Sequence, residues 1–92
     1  MKVIFTARYR HEIRQIARFI ALDSKARANA FVDGVERACY GVADMPYKCR
    51  KSLNFNDESV RDLVFKGYVV PYRIKGDYIY ILGIYKENQW QP

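Results

Sequence analysis

SVRDLVFKGYVVPYRIKGDYIYILGIYK, residues 59–86, reads as three β-strands in a row. Lys75-Gly76-Asp77 closes the last two into a hairpin, because Gly-Asp beside a β-rich run supplies the positive φ that a tight turn needs. Val64, Phe65, Tyr68, Val69, Val70 and Tyr72 precede the turn, and Tyr78, Ile79, Tyr80, Ile81, Leu82 and Ile84 follow it. β-branched and aromatic residues at this density favour a pleated, half-buried surface over a helix. Tyr78 and Tyr80 share one face of the last strand, and Ile79 and Ile81 the other. Two tyrosines there suit stacking and suit a sheet surface equally well. Pro71 has no ladder donor, so its strand is expected to be irregular there or to turn that position from a partner.

Working outward, residues 2–5 form a short first strand, and Thr6 offers its hydroxyl as a helix N-cap. Tyr9, Ile13, Ile16, Ala17 and Ile20 then recur at helical spacing up to about Leu22. Arg10, Arg14 and Arg18 recur every four residues on another face. Glu12 is the one acid in this helix, so little intrahelical pairing is available to neutralise the stripe, and an external anionic partner is expected. Asp23 or Ser24 caps a second helix with Ala28, Phe31, Val35, Ala38 and Val42 as its inner stripe. Gly34 costs that helix roughly 1 kcal/mol against Ala, which a close approach of the first helix would explain. Pro46 is expected to end the second helix. Residues 47–58, YKCRKSLNFNDE, are the one long loop. The order β-α-α-β-β-β gives an α+β class, with a helix hairpin on one face of an antiparallel sheet.

Ninety-two residues make one domain, 1–92. Sixteen basic against ten acidic residues give a formal charge of +6, and the charges cluster, which points to a polyanionic or acidic partner. Cys39 falls on the inner side of the second helix and reads as a small buried hydrophobe; Cys49 lies among Lys48, Arg50 and Lys51. Two Cys and one His, His11, are too few for a disulfide framework or a tetrahedral zinc set, so no metal and no cofactor are expected. No run approaches the ~20 apolar residues of a membrane span, and a cytoplasmic, reduced setting with no membrane partner is expected.

Taken together, the chain resembles the RelE/ParE superfamily of bacterial type II toxins. The resemblance rests on Ser24, Ala28 and Phe31, on Met45-Pro46, on Val-Arg-Asp-Leu at 60–63, and on Gly67-Tyr68. Tyr72-Arg73-Ile74 and Gly76-Asp77 leading into Tyr78–Leu82 complete it. It implies the same β-α-α-β-β-β sandwich and a toxin–antitoxin hetero-oligomer, with a cognate antitoxin lying on the Arg10, Arg14 and Arg18 face. It implies one of two targets: DNA gyrase for ParE-like members, or messenger RNA on the ribosome for RelE-like ones. RelE-type members commonly place an Arg after the Gly-Tyr, where Val69 stands here, and Arg and Tyr after the last strand, where this chain has Tyr85-Lys86-Glu87-Asn88-Gln89. Many ParE-like members end that strand in His and basic residues, a place taken here by Tyr85-Lys86, while Val-Arg-Asp-Leu fits the ParE-like side better. The reading therefore leans to a ParE-like gyrase inhibitor. The alternative is a metal-independent, ribosome-dependent endoribonuclease, and a further one is a non-catalytic basic nucleic-acid-binding module. Metal-free RNA cleavage needs a base, an acid and cations for the phosphorane. Candidates for it are Arg61, Tyr85, Lys86 and Lys51, with Lys48, Arg50, Lys66, Arg73 and Trp90 as target-binding residues.

Overall fold

The computed structural model describes residues 1–86; Glu87 and Trp90 lie outside the described residues. The elements are β1 (Lys2–Phe5), α1 (Ala7–Ala21), α2 (Lys25–Val42), β2 (Arg50–Lys51), β3 (Val60–Phe65), β4 (Tyr68–Lys75), β5 (Tyr78–Ile81) and β6 (Tyr85–Lys86). The strands form one sheet in the order β1-β5-β4-β3-β2, with β6 also on β4. The α+β class with two helices on one face is as expected.

The sheet is mixed where an antiparallel one was expected, because β1 runs parallel to β5. The two hairpins joining β3, β4 and β5 fix the direction of β5, and β1 is added beside it from 76 positions away in sequence, Lys2 facing Tyr78. Thr6 secures the junction. Its hydroxyl accepts the Tyr9 N–H at 3.2 Å as the α1 cap and donates to the Ile81 carbonyl at 2.6 Å. Ser24 caps α2 by accepting the Arg27 N–H. The α2 helix closes at Val42, ahead of Pro46 and not at it.

Both β-turns are two-residue loops, but they differ. Lys66 and Gly67 both have positive φ, 48° and 83°, in the β3–β4 turn, whereas only Gly76 does (59°) in the β4–β5 turn. Strand β4 is continuous through Pro71, and the irregularity sits in its neighbour. Tyr72 faces Ile81 and Val69 faces Tyr85, so Leu82, Gly83 and Ile84 stand opposite only Val70 and Pro71. This is a bulge of one residue. The ladder alternates, and Ile74 N–H bonds the Ser59 carbonyl, so the nitrogen of Pro71 points away from β3 toward that bulge, where no regular donor is needed. The bulge is pinned by Glu12 of α1, whose carboxylate accepts the Ile84 N–H at 3.1 Å.

The helix-side core is Tyr9, Ile13, Phe31, Val35, Cys39 and Val42 against Val70, Tyr72, Ile74, Ile79, Ile81 and Ile84. Gly34 does serve a close approach, though to the sheet and not to α1: a Cβ there would lie 2.8 Å from Cζ of Phe65. Gly34→Val is expected to lose about 1–3 kcal/mol in urea unfolding through overpacking. Pairing it with Phe65→Leu should recover part of that loss; an undiminished loss in the double variant would put the obstruction elsewhere.

Candidate functional site

The long loop is folded under the sheet and is largely tied to it. Residues 60, 62 and 64 of β3 and 69, 71 and 73 of β4 point to the face away from the helices, which follows from the strand period of two. Val60, Val69 and Pro71 there are almost fully buried. Phe55 packs on Val69 and Tyr85, and Asn54 donates to the Tyr85 hydroxyl at 2.8 Å. Asp57 accepts from Arg73 at 3.1 Å. Buried Ser52 adds its N–H to the Val60 carbonyl at 2.8 Å.

Buried Asp62 anchors the loop from inside. Its Oδ2 accepts the Leu53 N–H at 3.3 Å and Arg50 at 3.4 Å, while its Oδ1 has no partner. Sequence reasoning missed this role. The available signal was a carboxylate on a strand face otherwise made of Val60 and Val64.

The loop's other end is held by Arg61. Its guanidinium donates to the Glu58 carbonyl (3.0 Å), the Glu58 carboxylate (3.2 Å) and the Cys49 carbonyl (3.3 Å), and it lies 5.0 Å from the centre of the Tyr47 ring. Beside it Tyr72, fully buried, donates its hydroxyl to the Pro46 carbonyl at 2.5 Å. Burial, then its hydrogen bond with Cys49, raises the Tyr72 pKa far above the ordinary phenol value, so it remains a donor throughout the physiological range. Burial likewise pushes the Cys39 thiol up to about 12, with Glu36 adding to it, so this cysteine is not a nucleophile at neutral pH.

The four candidate catalytic residues stand in three places, with Lys51 and Arg61 together. Lys51 pairs across the β2–β3 ladder with Arg61, and both reach Glu58. The Tyr85 side chain lies on the opposite face under the loop, with its hydroxyl bonded to Asn54. Lys86 faces Tyr68, its ammonium 5.9 Å from that ring. Arg61 is level with Tyr72 on β4, four residues from Tyr68, so Lys86 is about 13 Å away along the strand and on the other side of β4.

Of the target-binding candidates, Arg50 pairs with Asp62 and Arg73 with Asp57, and Lys66 sits in the β3–β4 turn over the Phe65 ring. Lys48 is exposed, and Trp90 lies outside the described residues. On α1, Arg10 donates to the Phe5 carbonyl at 3.3 Å, whereas Arg14 and Arg18 make no ion pair among the described residues. Phe19 and Leu22, 72% and 85% exposed, follow them along the helix. A groove of about 580 Å³ opens between α1 and the β4–β6 end, bordered by His11, Gln15, Phe19, Tyr68 and Lys86. Among the described residues no three His, Cys, Asp or Glu side chains converge as metal ligands would, and no helix is long and apolar enough to cross a membrane.

Two helices thus cover one face of the sheet, and the loop of residues 47–58 covers much of the other. The sequence profile of the family "ParE toxin of type II toxin-antitoxin system, parDE" matches residues 3–89. The chain belongs to that family and is a toxin component of a type II toxin–antitoxin system. A solved structure, the chromosomal ParDE toxin–antitoxin system from P. aeruginosa, matches with a TM-score of 0.75 over 94% of this chain and 95% of that one, at 19% identity. That likeness carries the fold. Comparison with curated proteins gives no match. The ribosome-dependent nuclease alternative is not favoured.

Two predictions concern the loop. Arg61→Ala should lower unfolding stability by about 1–3 kcal/mol through its lost charged hydrogen bonds, read by urea denaturation. An unchanged midpoint would deny the clamp. Asp57 has its pKa held below 3.8, first by the hydrogen bonds from Ser59 and then by Arg73. The folded state therefore favours the carboxylate. Its contribution is complete above the unfolded value and is lost as pH falls through the lower folded one. Asp57→Asn should accordingly melt below the parent at pH 6, with the gap closing below 3.8; a gap independent of pH would contradict this.

Proposed function

We propose that this toxin arrests growth by inhibiting DNA gyrase in the cytoplasm, and that a cognate antitoxin restrains it by lying along α1. The family supports the target reading, since gyrase poisoning is the ParE activity. The observation that carries it is the separation of the residues that RNA cleavage would need. Arg61 and Lys51 are engaged with Glu58 at one end of the sheet, and Tyr85 is under the loop on the other face. A general acid and base must both reach one phosphate within hydrogen-bond distance, and the separation of Tyr85 from Lys51 and Arg61 speaks against such a set. Inhibition of a protein target needs no such constellation.

Arg14 and Arg18, without an ion pair among the described residues and followed by exposed Phe19 and Leu22, suit an amphipathic, acidic antitoxin segment. Arg10 borders this face with its Nε already bound to the Phe5 carbonyl.

In a supercoiling assay the purified toxin should inhibit gyrase and the cognate antitoxin should relieve that inhibition. Unimpaired supercoiling, together with in-frame, translation-dependent cleavage of message after induction, would replace this reading with the nuclease one. Arg14→Glu with Arg18→Glu should weaken antitoxin binding by tenfold or more in calorimetry and flatten its salt dependence. Equal affinity would remove α1 as the seat.

A further inference from the structure

We propose that the uncovered part of the sheet's far face binds single-stranded nucleic acid, with Tyr78 and Tyr80 as a stacking platform and Lys2 and Lys75 as phosphate contacts. The long loop makes its contacts with β3, β4 and β6, and among the described residues the β1–β5 end of the same face stays open. Tyr78 is 39% exposed and Ile4 38%.

The register sets these side chains in two rows across three strands. Lys2, Tyr78 and Lys75 form one, and Ile4, Tyr80 and Arg73 the other. Tyr78 is thus flanked by a lysine on each side at the strand spacing of about 4.8 Å. Neither lysine makes an ion pair among the described residues, whereas Arg73 at the border is held by Asp57. Asp77, in the adjoining turn, is the neighbouring carboxylate, and its backbone carbonyl accepts the Lys2 N–H.

The two tyrosine rings are 6.1 Å apart and tilted by 34°. That separation exceeds the roughly 3.4 Å per nucleotide of a stacked duplex strand. Successive bases must therefore be splayed, one to each ring, which only an unpaired strand permits. Isolated stacking rings would suit many aromatic ligands. Lysines on both sides of the platform select a polyanion, and nothing in the rows reads a base edge, so binding should be indifferent to sequence. The inference does not depend on the gyrase reading: either can fail alone.

The test is fluorescence anisotropy of the purified toxin with labelled oligo(dT) and oligo(rU) of about twelve nucleotides, within the range that single-strand binding folds of other architecture cover, and with a duplex of equal length. Both single strands should bind at low salt, and the duplex more weakly. Tyr78→Leu with Tyr80→Leu should reduce affinity by about tenfold per ring, while Tyr78→Phe with Tyr80→Phe, which keeps both rings, should retain it. The leucine pair preserves apolar area, and an unchanged circular dichroism melt certifies its fold. Lys2→Gln with Lys75→Gln should reduce the slope of log affinity against log salt by about 1.4. Absence of single-strand binding, equal binding of duplex, or leucine variants that bind as well as the parent would each overturn the proposal.

Discussion

Val69, Val70, Pro71 and Tyr72 are consecutive and all buried, so β4 has no side that can be left to water. A strand alternates its side chains between two faces, and burying both requires two covering layers. The helix pair supplies one through Phe31, Val35 and Ile13. The described residues hold no further helix, and the loop of residues 47–58 supplies the other. The fastenings of that loop reach β3, β4 or the bulged segment beside it: Asp62 to Leu53, Arg61 to Glu58 and Cys49, Arg73 to Asp57, Asn54 to Tyr85. The missing donor of Pro71 belongs to the same arrangement, since it faces the bulge that lets β5 and β6 lie one after the other along β4.

Covering the sheet in this way redistributes the positive charge. Arg50, Lys51, Arg61 and Arg73 are engaged by Asp62, Glu58 and Asp57, so the most basic stretch of the sequence is largely neutralised within the fold. Among the described residues, the cations left without an ion pair include Arg14 and Arg18 on α1 and Lys2 and Lys75 at the open end of the sheet. These lie on different sides of the molecule. One surface suits an acidic segment beside exposed Phe19 and Leu22. The other combines lysines with tyrosine rings. Two separate charged surfaces would allow the toxin to be held at one while the other stays accessible.

The parts legible in sequence were those with local signals. The hydroxyl cap at Thr6, the α1 stripe and the Gly76 turn each need only a few neighbouring residues and form as read; of Asp23 and Ser24 it is Ser24 that caps α2, and the buried stripe of that helix passes through Cys39 where Ala38 was expected. The parallel pairing of β1 with β5 joins residues 76 positions apart and has no local signature. Strand β2 is two residues long, too short to show alternation. Gly34 was legible as a point of close approach, but the approaching group, Phe65, is 31 positions on and not on the neighbouring helix. Arg61 stands in sequence beside Asp62 and four residues from Asp57, either of which is a local partner for it. It pairs with Glu58 instead, because strand alternation sends Asp62 to the opposite face. The clustering of Lys48, Arg50 and Lys51 looked like an open basic site for the same reason that Asp62 went unnoticed: a linear sequence does not show which carboxylate folds back beneath the loop.

Native-state hydrogen exchange tests most directly whether the loop is an integral second layer. The Ser52 N–H, bonded to the Val60 carbonyl, and the Val60 N–H, bonded to the Asp57 carbonyl, report on it. If the loop and β4 form one cooperative unit, both amides exchange only with global unfolding, at the same free energy as the amides of Val70 and Tyr72. Exchange of Ser52 and Val60 at rates of open surface amides, while β4 stays protected, would show the loop to be a detachable cover and its basic residues to be available for a target.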